Sequence, residues 1–350
     1  MTTRAGEGVD ASGPLHGFAR LLALPCGGAL LQATLFTVLA APTVVGSFDP
    51  RVFNHDIAWL LHCSGQLLDG GRAYVDFIET NPPLIVWLGI PPVWVARLTG
   101  LPEILVYHLF VLALVAGTLL AVSRLLAAAW GADSAERRHA TLLLLATPLL
   151  LVPGYDFGQR DHLTVILLLP FLVATAGWLG GRPPAPGMRW FCGFWAAPAL
   201  AIKPHFLLVW ATVETTRWWL ERGRAPWRRP ENWAIGGSLV AYAASVPLFA
   251  PVYLKVVRWN LEFYGAFAEP VPMHVHLTVA YAGVAAFLLV RSGPATRALR
   301  RIVCVVLVAF IAVVFLSALL RYLLLLLSSI CRVPGLWMQG LGPWMSTRAQ

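Results

Sequence analysis

The sequence has little charge for its length, and this excludes a water-soluble globular protein. Only 12 % of the 350 residues are charged, whereas soluble domains carry about 25 %. Apolar residues make up 58 %, so too little polar surface remains to face water. Lysine is almost absent: Lys203 and Lys255 are the only two, and most of the arginines sit in short clusters between apolar runs. The composition predicts an integral membrane protein and, despite a net charge of +9, no nucleic-acid partner.

Cysteine is also scarce and irregularly spaced. The five cysteines are an odd number without a CxxC pair, so neither a disulfide framework nor a cysteine metal site is predicted. No ten-residue stretch alternates between apolar and polar residues, and strands are therefore not expected. What the chain does contain is a series of long apolar runs, which predicts helices.

A membrane-spanning helix needs about 20 mainly apolar residues. The first apolar run, 21–45, follows a polar leader and is too long for the core of a signal peptide, so it predicts a signal anchor. The candidate spans are 21–46, 104–130, 140–154, 162–180, 190–203, 205–220, 232–252, 276–291 and 302–327. The predicted fold class is an all-α polytopic membrane protein with about nine transmembrane helices, in a range of about eight to eleven.

The distribution of basic residues predicts the orientation. One alternate set of segments between the spans holds sixteen basic residues and the other holds seven, so the first set is expected in the cytoplasm. The apolar stretch 82–98 would reverse this alternation if it crossed, and it is rich in proline. We therefore interpret it as a helix at the outer interface. The predicted organisation is a cytoplasmic tail (1–20), a transmembrane domain (21–327) whose outer loop is 47–103, and an irregular tail (328–350), in the bacterial inner membrane.

The first polar segment of the predicted outer face is Asn54-His55-Asp56, just after the first span. An apolar stripe over 55–68 predicts a helix along the membrane surface. Asp56 would lie in its first turn, either as a carboxylate favoured by the helix N-terminus or as a general base. Asp76 and Glu79 follow, three residues apart. They are either solvated acids or a pair that holds a divalent cation or a basic group.

Two further polar segments separate apolar runs with almost no loop between them. The first, 154–162, contains Asp156, Arg160, Asp161 and His162. An ionised residue at membrane depth costs roughly 2.5–3.5 kcal/mol, so this segment is either a set of mutually satisfied charges or a functional site. The second, 201–206, contains Lys203 and His205. Lys203 either reaches out to the lipid headgroups or binds a phosphate group.

The ordered set of these segments resembles the GT-C membrane glycosyltransferases. The residues that carry the resemblance are Asn54-His55-Asp56 after the first span with Leu68-Asp69-Gly70, Tyr74-Val75-Asp76 with Glu79-Thr80-Asn81-Pro82-Pro83, and Gly158-Gln159-Arg160-Asp161-His162. The similarity is to the bacterial branch related to protein O-mannosyltransferases and aminoarabinose transferases, and it covers about residues 20–290. It implies a GT-C-like transmembrane fold with an interfacial, helical first outer loop.

The resemblance also implies an activity. Such enzymes take a sugar from a polyprenyl-phosphate carrier and transfer it to an acceptor (a lipid, a glycan or a protein) on the non-cytoplasmic face, inverting the anomeric carbon in one displacement. By resemblance, Asp56 would be the base that acts on the acceptor, and either Asp156 or Asp161 would be the acid of the second outer loop.

The remaining roles concern the donor. Glu79, together with Asp76, would organise the donor phosphate or a divalent metal ion, the only cofactor suggested. Arg160, Lys203 and His205 would contact the carrier phosphate. Further candidates in the same segments are His55, Asn81 and His162, and the other expected partners are membrane lipids.

Two other functions stay open at the level of sequence. GT-C enzymes are usually longer, and this chain has no clear match to their late basic segment, which leaves a shortened, catalytically inactive relative as one alternative. The other is a transporter or flippase for a lipid-linked or anionic substrate. Transporters often contain internal repeats and place charges at mid-membrane, whereas here no repeat is found and the polar residues gather on one face.

Overall fold

Ten α-helices make up most of the part of the chain that the structure, a computed structural model, describes. That part comprises residues 25–47, 54–131, 134–221 and 226–266. The helices are α1 (Pro25–Gly46), α2 (His55–Leu68), α3 (Pro83–Thr99), α4 (Glu103–Trp130), α5 (Ala135–Leu150), α6 (Arg160–Leu179), α7 (Pro186–Ile202), α8 (Leu207–Leu220), α9 (Pro230–Phe249) and α10 (Tyr253–Ala266). Short 3-10 turns occur at Gly154–Asp156, Pro204–Phe206 and Pro226–Arg228, and no strand occurs within these ranges. The prediction of an all-helical chain is confirmed for the described residues.

The predicted apolar segments coincide with helices wherever the structure describes them. Seven of the nine correspond to α1 and to α4 through α9; the other two, 276–291 and 302–327, lie outside the described residues, as do both predicted tails. By length and composition, α4 and α6 can each cross a membrane. Helices α9 and α10 together form a third candidate, bent by 107° at the break between them. The described residues thus contain two or three candidate spans, and the count of about nine stays a prediction.

Both helices expected in the first outer loop are present. Helix α2 begins after Asn54, whose side-chain Oδ1 accepts hydrogen bonds from the backbone N–H groups of Asp56 and Ile57. This is the usual cap of a helix N-terminus. Helix α3 begins with Pro83, where the missing N–H costs nothing. It ends at Gly100, whose φ of 71° closes the last turn.

Small residues allow the helices to approach closely. A Cβ on Gly193 of α7 would lie 2.4 Å from the backbone oxygen of Glu231 in α9, and one on Gly89 of α3 would lie 2.3 Å from the Ser64 hydroxyl of α2. Ser64 in turn donates to the Val86 carbonyl of α3. The core continues through α4, α6 and α7, where Thr118 donates to the Ile166 carbonyl and accepts from the indole of Trp195. These contacts fix the order in which the helices pack.

A cluster of buried charges joins the C-terminus of α8 to the N-termini of α7 and α9. We call it the arginine–glutamate network; its members are Arg189, Glu214, Arg217, Glu221, Arg229 and Glu231. Three arginines meet three glutamates, so the formal charges cancel. The guanidinium of Arg217 is 1 % exposed and donates to Glu214 and Glu231, both at 2.9 Å. The guanidinium groups of Arg189 and Arg217 also lie over the ring of Trp178, near the end of α6.

The sequence did not predict this network, because its three arginines fall in segments interpreted as cytoplasmic loops. Charges this deeply buried are tolerated only when they are paired. Trp178 lies eighteen residues along α6 from Arg160, which at 1.5 Å per residue is roughly 27 Å. The network is therefore at the opposite end of α6 from the polar residues that sequence analysis selected as candidate site residues.

Candidate functional site

Three stretches that are distant in sequence line one open cavity of about 350 Å³. Its lining residues are Asp56, Trp59, Leu60, Ile78, Glu79, Thr80, Asn81 and Arg160. They come from the first turns of α2, from the loop before α3 and from the first residue of α6. Three of the predicted site residues with charged side chains, Asp56, Glu79 and Arg160, are thus brought together.

Asp56 is held at the cavity wall by its neighbours. Its Oδ2 accepts a hydrogen bond of 3.0 Å from the side-chain amide of Gln159, and its Oδ1 is 3.4 Å from Nε2 of His55. The side chain keeps 40 % of its surface exposed. The oxygen that caps α2 belongs to Asn54 and not to Asp56, so the Asp56 carboxylate is not used by the backbone of α2 and can accept a proton from a bound group.

Glu79 lies almost entirely below the surface, with 4 % of its area exposed. Its Oε1 accepts three hydrogen bonds, from the backbone N–H groups of Thr80 and Asn81 and from the Asn81 side-chain amide, at 2.6–2.7 Å. All three end on the same oxygen, so the orientation of the carboxylate is fixed. Asn81 therefore acts on Glu79 and lines the cavity itself.

The loop that carries Glu79 is held in an unusual backbone conformation. Tyr74 has a φ of 61°, the only positive φ at a non-glycine residue among the described ones. Such a conformation persists only where the surroundings enforce it. Here the buried Tyr74 hydroxyl donates to the Asn81 carbonyl, and its ring packs on Phe77 and on Tyr253 of α10. Burial also raises the pKa of Tyr74, which keeps this hydroxyl protonated and able to donate.

Arg160 lines the cavity, and its side chain contains an unsatisfied donor. Its Nε is buried and has no hydrogen-bond partner among the described residues. A buried guanidinium N–H without an acceptor costs more free energy than one that is bonded. The arrangement favours an anion with several oxygens, because a guanidinium can hold such a group through two parallel hydrogen bonds.

Other predicted site residues do not line the cavity, but they neighbour a lining residue in the sequence or contact such a neighbour. Asp156 accepts a hydrogen bond of 2.8 Å from the Asn54 side chain, which places it behind the N-terminus of α2. Asp161 forms an ion pair with Lys203, which is 18 % exposed and follows α7 directly. His205 is exposed in the next turn, with its ring against Phe206.

The two remaining histidines among the predicted site residues, His55 and His162, have different surroundings. His55 is exposed, and its ring nitrogen Nδ1 is 3.3 Å from the Tyr155 hydroxyl. His162 is buried: its Nδ1 accepts from the Gly158 N–H at 2.9 Å, so Nε2 carries the proton and donates to the Leu149 carbonyl at 2.8 Å. Both nitrogens of His162 are used by the backbone, which gives this residue a role in holding the loop before α6.

The described carboxylates of the segment 54–103 do not provide a donor set for a metal ion. Asp76 does not join Glu79 but pairs with Arg72 at 3.0 Å, and hydrogen bonding to Arg72 lowers the pKa of the Asp76 carboxyl. One oxygen of Glu79 is already saturated. No group of three or more histidine, cysteine, aspartate or glutamate side chains able to hold a metal occurs in the described part of the chain.

Three residues that position or complete the site were not selected from the sequence. Asn54 caps α2, and Gln159 holds Asp56; both are neutral neighbours of charged residues that drew attention first. Asn54 could have been recognised from the preference for asparagine directly before a helix. Trp59 was counted as part of the apolar stripe of α2, yet it lines the cavity.

Comparisons with known proteins add no family to this description. No protein-family model matches the chain. No curated protein matches it, and no solved structure matches it. The assignment of a function therefore depends on the chain's own residues.

Proposed function

We propose that the protein is a glycosyltransferase that moves a sugar from a polyprenyl-phosphate donor to an acceptor on the non-cytoplasmic face of the membrane. The observation that supports this most is the meeting of Asp56, Glu79 and Arg160 around one cavity. Transfer from a phosphate-linked donor can use each of these groups: the partly exposed carboxylate of Asp56, the fixed carboxylate of Glu79 and the guanidinium of Arg160. The order of the polar segments along the chain, which resembles that of GT-C enzymes, supports the same activity.

The chemistry is a single displacement. The acceptor hydroxyl forms a bond to the anomeric carbon as the bond from that carbon to the carrier phosphate oxygen breaks, so the anomeric configuration inverts. Asp56 takes the acceptor proton and later releases it to water. The bonding pair leaves with the carrier phosphate, whose developing charge is stabilised by Arg160.

The donor side of the proposal involves the start of α6 and the end of α7. Lys203 reaches Asp161, the residue next to Arg160, so a phosphate bound to Arg160 would lie near a second cation. His205 follows in the adjacent turn. Glu79 would orient the sugar or the acceptor through its second oxygen, because Oε1 is occupied by three hydrogen bonds.

The proposal requires the cavity to face outward, which the arginine distribution predicts. Reporter fusions after Arg138 and after Arg229 should score as cytoplasmic, and a fusion after Gly265 should score as external. Alkaline phosphatase and green fluorescent protein fusions in an inner membrane would measure this. An external signal after Arg138 would mean that α3 crosses the membrane, which would put Arg160 on the opposite side from Asp56 and Glu79 and contradict the proposed site.

The donor phosphate gives a second test. Arg160→Ala should weaken the binding of polyprenyl-phosphate sugars about 10- to 100-fold, because one charged hydrogen bond contributes about 1.5–3 kcal/mol. Binding to purified protein in lipid nanodiscs would be measured with a panel of such donors. Arg72→Ala is the matched control, since Arg72 pairs with Asp76 outside the cavity. Equal binding by the Arg160 variant and the wild type would contradict the assignment of the phosphate to Arg160.

A further inference from the structure

We infer that the cavity holds an uncharged pyranose ring stacked on the indole of Trp59. This inference extends the proposed function, on which its link to transfer depends, by naming the chemical class of the group that occupies the cavity. The inference of a sugar-binding site is supported by the position of Trp59 among the polar residues that line the cavity.

Trp59 is placed where a bound ring can meet it. It follows Asp56 by three residues in α2, so the two side chains share a face of the helix. Its side chain lines the cavity, and the residue is 43 % exposed. Its ring is 5.5 Å from that of His62, which supports the indole within α2. The cavity therefore contains an aromatic surface directly beside the carboxylate proposed as the base.

The combination of an indole ring and surrounding polar groups suits the chemistry of a sugar ring. A pyranose has an apolar face of C–H groups and a rim of hydroxyl groups. The C–H groups carry partial positive charge and pack well on the negative face of an aromatic ring. Hydroxyl groups donate to carboxylate oxygens, and Asp56 and Glu79 supply such oxygens in the same cavity. A volume of about 350 Å³ falls in the lower part of the range for small-molecule pockets.

The charges of the lining residues favour an uncharged ring. Two carboxylates, Asp56 and Glu79, face one guanidinium, that of Arg160. In the proposed function Arg160 is occupied by the carrier phosphate, which leaves no second lysine or arginine among the lining residues to attract another anion. An acidic sugar would place a third negative charge among them and would be repelled.

Saturation-transfer NMR on the full chain in lipid nanodiscs tests this inference, because nanodiscs avoid detergents with sugar headgroups. The probes are methyl glucoside, methyl galactoside and methyl mannoside, with methyl glucuronide as the acidic counterpart. At least one neutral glycoside should receive saturation at its ring protons. Trp59→Ala should weaken this binding about tenfold, whereas Trp59→Phe, which keeps an aromatic face, should stay within about threefold.

Trp94→Ala is the matched control, since Trp94 is an exposed tryptophan of α3 that does not line the cavity. With a polyprenyl phosphate included in the nanodiscs so that Arg160 is occupied, methyl glucuronide should bind at least about tenfold more weakly than the neutral glycosides. The inference is overturned if none of the neutral probes binds, if Trp59→Ala binds as the wild type does, or if the glucuronide binds equally well. A tryptophan that serves only as an anchor at the lipid interface would give the first or the second of these results.

The test also separates this inference from the proposed function. If glycosides bind through Trp59 but no polyprenyl-phosphate sugar is bound or consumed, the sugar site stands and the transferase proposal fails. If transfer occurs and is unchanged in Trp59→Ala, the transferase proposal stands and the inference of a sugar ring stacked on Trp59 fails.

Discussion

Asp56→Asn is expected to lower the rate of sugar transfer by about 10²- to 10⁴-fold, the contribution of a positioned general base. The amide has the size of the carboxylate but cannot take the acceptor proton. Stability should stay close to that of the wild type, because the cap of α2 is provided by Asn54. The measurement is the initial rate of transfer from the donor that the binding panel identifies, together with the thermal unfolding midpoint.

Two variants serve as controls for Asp56. Asp69→Asn changes an exposed aspartate at the other end of α2, where it pairs with Arg97, and should leave the transfer rate near that of the wild type. Asn54→Ala should lower stability by about 1 kcal/mol through loss of the cap. An Asp56→Asn variant that loses stability as Asn54→Ala does, and keeps its rate, would make Asp56 a structural residue.

Arg217→Met is expected to lower the free energy of unfolding by about 3–5 kcal/mol, the usual cost of removing one partner from a buried ion pair. Glu214 and Glu231 would then remain buried without one of their guanidinium donors. Methionine keeps much of the length of the arginine side chain, so the loss reflects charge more than volume. The prediction is independent of any catalytic role.

Unfolding can be followed through two buried free cysteines, Cys63 and Cys192. A thiol-reactive fluorescent probe would report their exposure on heating, in a background where Cys26, Cys304 and Cys331 are replaced by serine. Arg228→Met is the matched control, because Arg228 is exposed in the turn before α9. The double variant Arg217→Met with Glu214→Gln should lose less than the sum of the two single changes. Equal midpoints for Arg217→Met and Arg228→Met would show that the network contributes little.

Much of the candidate site could be predicted from the sequence because its residues interrupt apolar runs. Asp56, Glu79 and Arg160 each stand at a break between long apolar stretches, where a charge is costly unless it has a use. The structure brings these three together at one cavity. The sequence pattern could not show that Gln159 holds Asp56, since a neutral amide beside three titratable residues gives no signal of its own.

The sequence by itself determined the helices. The limits of α2 and α3 follow from local features, namely Asn54 before one helix and Pro83 and Gly100 at the two ends of the other. Such features act within a few residues, through backbone hydrogen bonds and fixed dihedral angles. The apolar runs can likewise be recognised from the sequence, because the hydropathy of a segment depends only on its own residues and not on what it packs against.

Only the tertiary structure decided which charges meet. Spacing left open whether Asp76 and Glu79 act as a pair or are separate solvated acids. In the structure Asp76 binds Arg72, and Glu79 binds the amides of its own loop. The arginine–glutamate network joins residues of α7, α8 and α9, or next to their ends, which the sequence alone did not connect. The free energy of an ion pair depends on the distance between its groups and on their burial, and both are set by how the helices pack, here by close contacts such as that at Gly193.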